Sequence, residues 1–346
     1  MSNYRVAVSG DFRREDGTPN IPDFDLSRLN EAPGVDVGFV GRGPELSADE
    51  LAGYDALILL MPRFTRASVP ADGRLSVIAR GGVGYDTVDV DACTEAGIAL
   101  VITPDAVRRP VAVSVVTLML ALTGRLFDMD RITRHGPWAS RTDYMGHGLV
   151  GRTFAQIGIG NIGAEVLRMI KPFDMRAIAH DPFVTPAQAE AMGVQLVDME
   201  TAFREADVLS VSCPLTEETR GLVNAERLAL MKPTAFVINT SRGPVVDQAD
   251  LTEALKERRI AGAGLDVLEK EPPDPDDPIL KLDNVILSPH ALCWTDQMFQ
   301  TMAGLDIDAV LAVMRGQVPR NVVNQSVIDS PRFKDKLRDY RERFSR

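Results

Sequence analysis

Short apolar runs alternate with polar, amphipathic stretches along nearly the whole chain. In the first hundred residues, Arg5–Ser9, Val35–Val40, Ala56–Leu60, Ser76–Arg80 and Ala99–Ile102 read as strands. Helical patterns fall at Asp25–Leu29, Ser47–Ala52 and Val90–Ala96, and the Gly-, Pro- and Asp-rich stretch from Asp11 to Asp23 reads as a loop. This alternation predicts a small parallel α/β sheet. Pro110 is expected to be the first residue of the apolar helix Val111–Leu122, which must be buried on several sides. Polar, glycine-punctuated sequence follows from Arg134 to Gly151.

From Thr153 the alternation resumes. Strands are predicted at Phe154–Ile157, Ala177–His180, Val208–Ser212, Ala235–Asn239, Gly264–Val267 and Val285–Ser288. The helices between them fall near Ile162–Ile170, Pro186–Met192, Asp198–Ala206, Ala225–Met231 and Gln248–Arg258. Six strands in this order suit a doubly wound sheet. A last helix, about Thr295 to Arg315, carries Met298, Met302, Leu305, Ala309 and Val313 at helical spacing. The charged end, Asp329 to Arg346, reads as a surface tail or a short helix.

Between the first of these strands and its helix lies Gly158-Ile-Gly160-Asn161-Ile162-Gly163. In a strand–turn–helix context, Gly158 suits a tight turn, Gly160 a close approach of pyrophosphate to the backbone, and Gly163 close helix–strand packing. The N–H groups at the helix start then face the phosphates. The next strand ends at Asp181, where an acid that accepts from ribose hydroxyls is expected. Asp181 repels a 2′-phosphate and no arginine follows it, so NAD is favoured over NADP. A helix cap after Pro182 is the plainer use of this residue.

Length favours two domains, and 45% hydrophobic with 25% charged residues supplies two cores. A net charge of −11 argues against a nucleic-acid or anionic-membrane partner. Cys93, Cys213 and Cys293 are dispersed, as are the four histidines, so no zinc spacing exists. Because Tyr4-Arg-Val-Ala-Val8 reads directly as a strand, no signal peptide is expected, and Val111–Thr123 is short for a bilayer span. A cytoplasmic protein is expected.

Three clusters lie at predicted strand ends, where open α/β sheets bind ligands: Ile238-Asn-Thr-Ser-Arg-Gly243, Gly264 to Pro272, and Leu287-Ser-Pro-His290. Taken with Arg80-Gly-Gly-Val-Gly-Tyr-Asp86, Thr103-Pro104, the glycine loop and Ser212-Cys-Pro214, they appear in the order of the D-isomer-specific 2-hydroxyacid dehydrogenase family, which this chain resembles over roughly residues 75 to 320. The resemblance implies a Rossmann-type dinucleotide domain, residues 104–291, inserted into a smaller flavodoxin-like α/β substrate domain. The latter comprises residues 1–103 with 292–330, leaving 331–346 as a tail and a substrate cleft between the domains. It also implies NAD as cofactor, a homodimer, and interconversion of a 2-keto acid and a D-2-hydroxy acid.

The family's catalytic arginine, acid and histidine map onto Arg242, Glu271 and His290. The chemistry asks for these types: a cation for the carboxylate and carbonyl oxygen, and a proton donor for the developing alkoxide. Glu271 on the second ring nitrogen would favour the imidazolium of His290. The resemblance further implies cofactor contacts from Gly158, Gly160, Asn161, Ile162, Gly163, Asp181, Cys213, Pro214, Thr240, Ser241, Arg242, Asp266 and His290. Asp266 would hold the nicotinamide amide. The N–H groups of Gly82, Val83 and Gly84, together with Arg242, would receive the substrate carboxylate.

Departures concern the substrate. Val113 stands where many members carry a glutamate, and Ala291-Leu-Cys-Trp294-Thr295 is bulkier than in many phosphoglycerate or hydroxypyruvate enzymes. Trp294 either walls the pocket or packs between domains, and Trp138 and Tyr144 either reach a partner's cleft or pack a dimer. Glu271, rather than glutamine, disfavours a formate dehydrogenase, and the short C-terminal stretch disfavours an appended regulatory domain. The competing class is a catalytically weak NAD(H)-sensing corepressor of the same fold.

Overall fold

The structure, a computed structural model, describes residues 3–344. The first strand, β1 (Tyr4–Ser9), buries five of its six side chains, because helices cover both faces of its sheet. The chain continues through α1 (Ser27–Asn30), β2 (Val35–Val40), α2 (Ala48–Leu51), β3 (Ala56–Leu59), β4 (Val77–Arg80), α3 (Val90–Glu95) and β5 (Ala99–Ile102). All pairings are parallel, in the order β2-β1-β3-β4-β5, with Val6 opposite Val37 on one side and Ala56 on the other. This is the flavodoxin-type order.

Helix α4 runs from Pro104 to Thr123 and has Pro110 inside it. The expected start at Pro110 is therefore six residues late. Pro104 takes the early-turn position that tolerates proline, and burial of Ala106 and Val107 offsets the hydrogen bond that Pro110 cannot donate. At 20 residues α4 is long and apolar enough to cross a bilayer. However, it buries Ala112, Val115, Leu118 and Met119 in a core shared with Phe154 and Val166.

After α5 (Leu126–His135), the second sheet is built from β6 (Thr153–Ile157), α6 (Asn161–Ile170), β7 (Arg176–His180), α7 (Pro186–Ala191), β8 (Gln195–Leu196), α8 (Met199–Glu205), β9 (Val208–Val211), α9 (Ala225–Leu228), β10 (Phe236–Asn239), α10 (Gln248–Lys256), β11 (Gly262–Leu265) and β12 (Val285–Leu287). Its order is β12-β11-β10-β9-β6-β7-β8, parallel throughout. Counted from its own first strand this is the doubly wound 3-2-1-4-5-6 order extended by one strand, with the reversal between β6 and β9. Alternate residues face two cores: Phe154, Val208 and Phe236 pack with α4 and α6, while Ala155, Leu209 and Val237 pack with α8 and α10. The two-residue edge strand β8 is an addition to the six expected, too short to leave a period. Strand β11 begins two residues before its expected start, because Gly262 and Gly264 lack apolar signal. A Cβ on Gly264 would lie 3.0 Å from Leu118, so α4 packs directly on its backbone.

Two compact units result. The described residues up to Val107, with those from Trp294 onward, form the first; Arg108–Cys293 form the second. The first is completed by α11 (Asp296–Met314), capped by Thr295 Oγ1 on the Met298 N–H at 3.1 Å, and α12 (Pro331–Phe344). The C-terminal segment is thus not a solvated tail. Phe333, Leu337 and Tyr340 are buried, and Lys336 Nζ donates to the carbonyls of Leu75, Ala96 and Gly97. An apolar residue every three or four positions sufficed to dock an otherwise charged helix. Ser345 and Arg346 lie outside the described residues.

Candidate active site

The glycine turn joins β6 to α6 at the point where strand order reverses. Gly158 has φ +85°, and a Cβ there would lie 3.1 Å from the Ser212 and Cys213 backbone. Gly163 must be glycine, since a Cβ would sit 2.1 Å from Gly158 O. At Gly160 nothing lies within 4 Å of the Cβ position, which leaves its backbone open to a ligand. Gly160 caps α6 without a side-chain bond, so the first-turn N–H groups of Asn161, Ile162 and Gly163 face that opening. Asp181, at the end of β7, accepts from Ile159 N at 2.7 Å through Oδ2 and from Phe183 N at 2.8 Å through Oδ1. It therefore holds the glycine loop in place as well as standing where a ribose would be read. No helix cap is formed there.

At the ends of the neighbouring strands, Ser212 and Thr240 carry buried hydroxyl oxygens that have no hydrogen-bond partner among the described residues. Cys213 is partly buried, and burial pushes its thiol up to about 11. Pro214 O accepts from Thr219 Oγ1 at 2.6 Å. Open backbone at Gly160, orphaned hydroxyls on adjacent strand ends and a carboxylate at Asp181 together match the needs of a dinucleotide.

The catalytic candidates are assembled by three loops of the second unit. His290 Nδ1 and Glu271 Oε2 are 2.8 Å apart, which leaves Nε2 for a substrate oxygen. The other carboxylate oxygen, Oε1, accepts from Leu268 N at 3.0 Å. Burial alone would raise the Glu271 carboxyl. The hydrogen bond and charge of His290, the Leu268 N–H and nearby Arg242 outweigh it and hold the group below its ordinary value. Arg242 Nη1 donates to Ser241 O at 2.8 Å, and Asn239 ties the same loop by accepting from Ser241 N and Oγ and donating to Arg242 O.

Two supports were not among the expected site residues. Gly243 abuts the Glu271 loop backbone to backbone: a Cβ there would lie 1.8 Å from Leu268 O. This is why glycine follows Arg242. Ser288 Oγ donates to Asp266 Oδ1 at 2.6 Å. That oxygen also accepts from Ala291 N and Leu292 N, both at 3.1 Å, while Asp266 O accepts from His290 N at 2.7 Å. His290 itself has φ +55°, in the left-handed region that non-glycine residues seldom occupy. Asp266 thus builds the turn that presents His290, a role its position in the sequence did not reveal.

Gly82, Val83, Gly84 and Trp294 belong to the first unit. Gly82 is corrected as a carboxylate donor, because its buried N–H donates to Thr103 Oγ1 at 2.7 Å. Val83 and Gly84, half-buried, have N–H groups with no protein acceptor among the described residues. The Trp294 ring is 43% exposed and stands edge-on to Phe299 at 5.3 Å.

Comparison with known proteins establishes the family. Residues 116–291 match the family model described as D-isomer specific 2-hydroxyacid dehydrogenase, NAD binding domain. A glyoxylate reductase from Korarchaeum cryptofilum is 38% identical over 317 residues, covering 90% of this chain and 96% of its own. A D-3-phosphoglycerate dehydrogenase from Archaeoglobus fulgidus is 37% identical over 85% of this chain and 56% of its own. The crystal structure of the TT0316 protein from Thermus thermophilus superposes with a TM-score of 0.81 at 33% identity, covering 92% of this chain and 99% of that one. The chain belongs to the D-isomer-specific 2-hydroxyacid dehydrogenase family. It is an NAD-dependent oxidoreductase acting on CH–OH groups.

Proposed function

We propose that the protein interconverts a small 2-keto acid and the D-2-hydroxy acid, with Arg242 binding substrate, His290 as acid/base and Glu271 tuning His290. The observation that carries this reading is the 2.8 Å pair of His290 Nδ1 and Glu271 Oε2, with the second carboxylate oxygen fixed by Leu268 N. A ring held at one nitrogen offers the other to a carbonyl oxygen, and its proton is delivered there as negative charge develops. The nicotinamide, when bound, supplies or accepts the hydride. Gly158, Gly160, Asn161, Ile162 and Gly163 would hold the pyrophosphate, Asp181 the ribose, and Thr240, Ser241, Cys213, Pro214 and Asp266 the remainder. Arg242 neutralises the carboxylate and the developing alkoxide with a guanidinium. In the first unit, Val83 and Gly84 supply free N–H groups of the kind that a carboxylate accepts.

A homodimer is supported by the exposed apolar side chains Leu126, Phe127, Trp138 and Met145, each at least 59% exposed on α5 and the segment after it. Three free thiols fit a cytoplasmic setting. Loss of NADH absorbance across glyoxylate, hydroxypyruvate, pyruvate, phenylpyruvate and bulkier keto acids tests the activity. Glyoxylate comes first because several relatives bear the name glyoxylate reductase. NADH binding without turnover of any of them would reject the enzyme in favour of a dinucleotide sensor.

A further inference from the structure

Among the described residues of the first unit, four large apolar side chains are exposed: Met61 at 61%, Tyr85 at 39%, Trp294 at 43% and Val318 at 45%. Val318 follows the far end of α11, whereas the other three gather about one turn. Strands β3 and β4 are in parallel register at Leu59 and Arg80, and the two chains meet again at Phe64 and Val88. Between these points one chain has four residues, 60–63, and the other seven, 81–87. The surplus forms the turn that carries Val83 and Gly84, entered through Gly82 at φ +112°. Met61 therefore runs alongside the turn, its N–H fixed by Asp11 Oδ2 at 3.0 Å, and Tyr85 closes it, with its carbonyl accepting from Val88 N at 2.9 Å. Trp294 reaches the same end along α11. Met302 lies against Gly81, the first residue beyond β4, where a Cβ would be 2.7 Å from its sulfur, and α11 also packs on β3, β4 and β5. The helix start before Met302 thus stands past the strand ends, where Trp294 rests edge-on against Phe299 at 5.3 Å. Apolar side chains exposed singly are ordinary, but three at one strand edge mark a surface that a ligand covers. The turn says which ligand. The Val83 and Gly84 N–H groups, without a protein acceptor among the described residues, suit a carboxylate, and a carboxylate held there brings its carbon chain among Met61, Tyr85 and Trp294. Arg80, the cation adjoining the turn, gives Nη1 to Gly81 O.

We propose that this end of the first unit is a subsite for the substrate's side chain, and that the preferred 2-keto acid carries an apolar side chain of several carbons. The assignment rests on the function proposed above. A series from glyoxylate through pyruvate, 2-oxobutanoate and 4-methyl-2-oxopentanoate to phenylpyruvate adds apolar surface at one position. Its kcat/KM with NADH should rise at least about tenfold from glyoxylate to a maximum at one of the last two members. 3-Phosphohydroxypyruvate, whose side chain is charged, should be a poor substrate. Met61→Ser and Trp294→Ala change exposed side chains. Each should lower the ratio of kcat/KM for 4-methyl-2-oxopentanoate to that for glyoxylate by about tenfold, through KM. A maximum at glyoxylate or at the phosphorylated acid would overturn the proposal. So would variants that lose every substrate and Tm together, the mark of residues that only pack. A binding measurement stands apart from turnover. Trp138 and Trp294 are the two tryptophans, so in Trp138→Phe the emission comes from Trp294 alone. With oxidised NAD present, where a keto acid has no hydride to accept, that emission should change saturably with 4-methyl-2-oxopentanoate, at a concentration about tenfold lower than with glyoxylate. An unchanged emission sinks the subsite even where turnover is found. A saturable change without turnover of any keto acid sinks the proposed function and leaves the subsite standing.

Discussion

On α11 in the first unit, Asp306 is 0% exposed, and neither of its carboxylate oxygens meets a hydrogen-bond donor among the described residues. Beyond β11 and β12 in the second unit, Glu271 and His290 are 39% and 43% exposed and touch through one short hydrogen bond. The difference follows from what each must do. A group proposed to exchange protons with substrate has to remain accessible, so its precision comes from neighbouring backbone: Gly243 against Leu268, and Asp266 gripping the turn at His290. A carboxyl with no such exchange to perform can be sealed in, where burial pushes it well above its ordinary value and toward the neutral form.

The contrast is broken most severely at His290. His290→Ala should lower kcat by about 10²- to 10⁴-fold with NADH affinity retained; unchanged turnover would remove the assigned mechanism. Next is a pair of glycines. Gly243→Ala forces a Cβ into Leu268 and should cost about 1–3 kcal/mol or more of stability, measured by denaturant unfolding. Gly160→Ala, in open space, should leave the unfolding midpoint alone and weaken NADH binding. The reverse pattern would show that the cofactor does not approach Gly160.

Asp181→Ser comes third. It should raise KM for NAD by about tenfold without creating efficient NADP use, because Ile159 N and Phe183 N lose their acceptor along with the ribose. Kinetics with both cofactors would refute this if the variant were a good NADP enzyme.

The smallest effect concerns pH. The Glu271 carboxyl is held below its ordinary 4.5, so its contribution to stability is complete above that value and is lost as pH falls through the lower folded value. Wild-type Tm should therefore drop more steeply than that of Glu271→Gln below pH 4.5. Because the pair is half-exposed, the difference should stay under about 1 kcal/mol. Parallel acid melts would sever the link between pairing and stability.

Much was legible in one dimension. Apolar runs bounded by turns located the observed strands to within a residue at each end, except β11, displaced by two, and β8, which was missed. The spacing of the glycines, the acid at Asp181 and, through the family resemblance, Arg242, Glu271 and His290 pointed to the chemistry proposed above, because each is a local matter of residue type and separation. What could not be read was who touches whom. That Gly82 gives its N–H to Thr103 depends on a partner 21 residues away, and that α12 docks depends on a carbonyl 240 residues away. Asp306 shows no signal at all along the chain: a charged residue in an amphipathic helix normally faces water.

The order of residues alone thus determined the sheets, the glycine loop and the choice of candidate side chains for the proposed chemistry, since strand periodicity, glycine geometry and acid–base chemistry are short-range properties. The tertiary structure decided how those side chains are held. It committed Gly82 to Thr103, made Asp266 the anchor of His290, required Gly243 at a backbone crossing and sealed Asp306 on the buried face of α11. Each of these depends on atoms distant in sequence meeting within a few ångströms, and only packing brings them there.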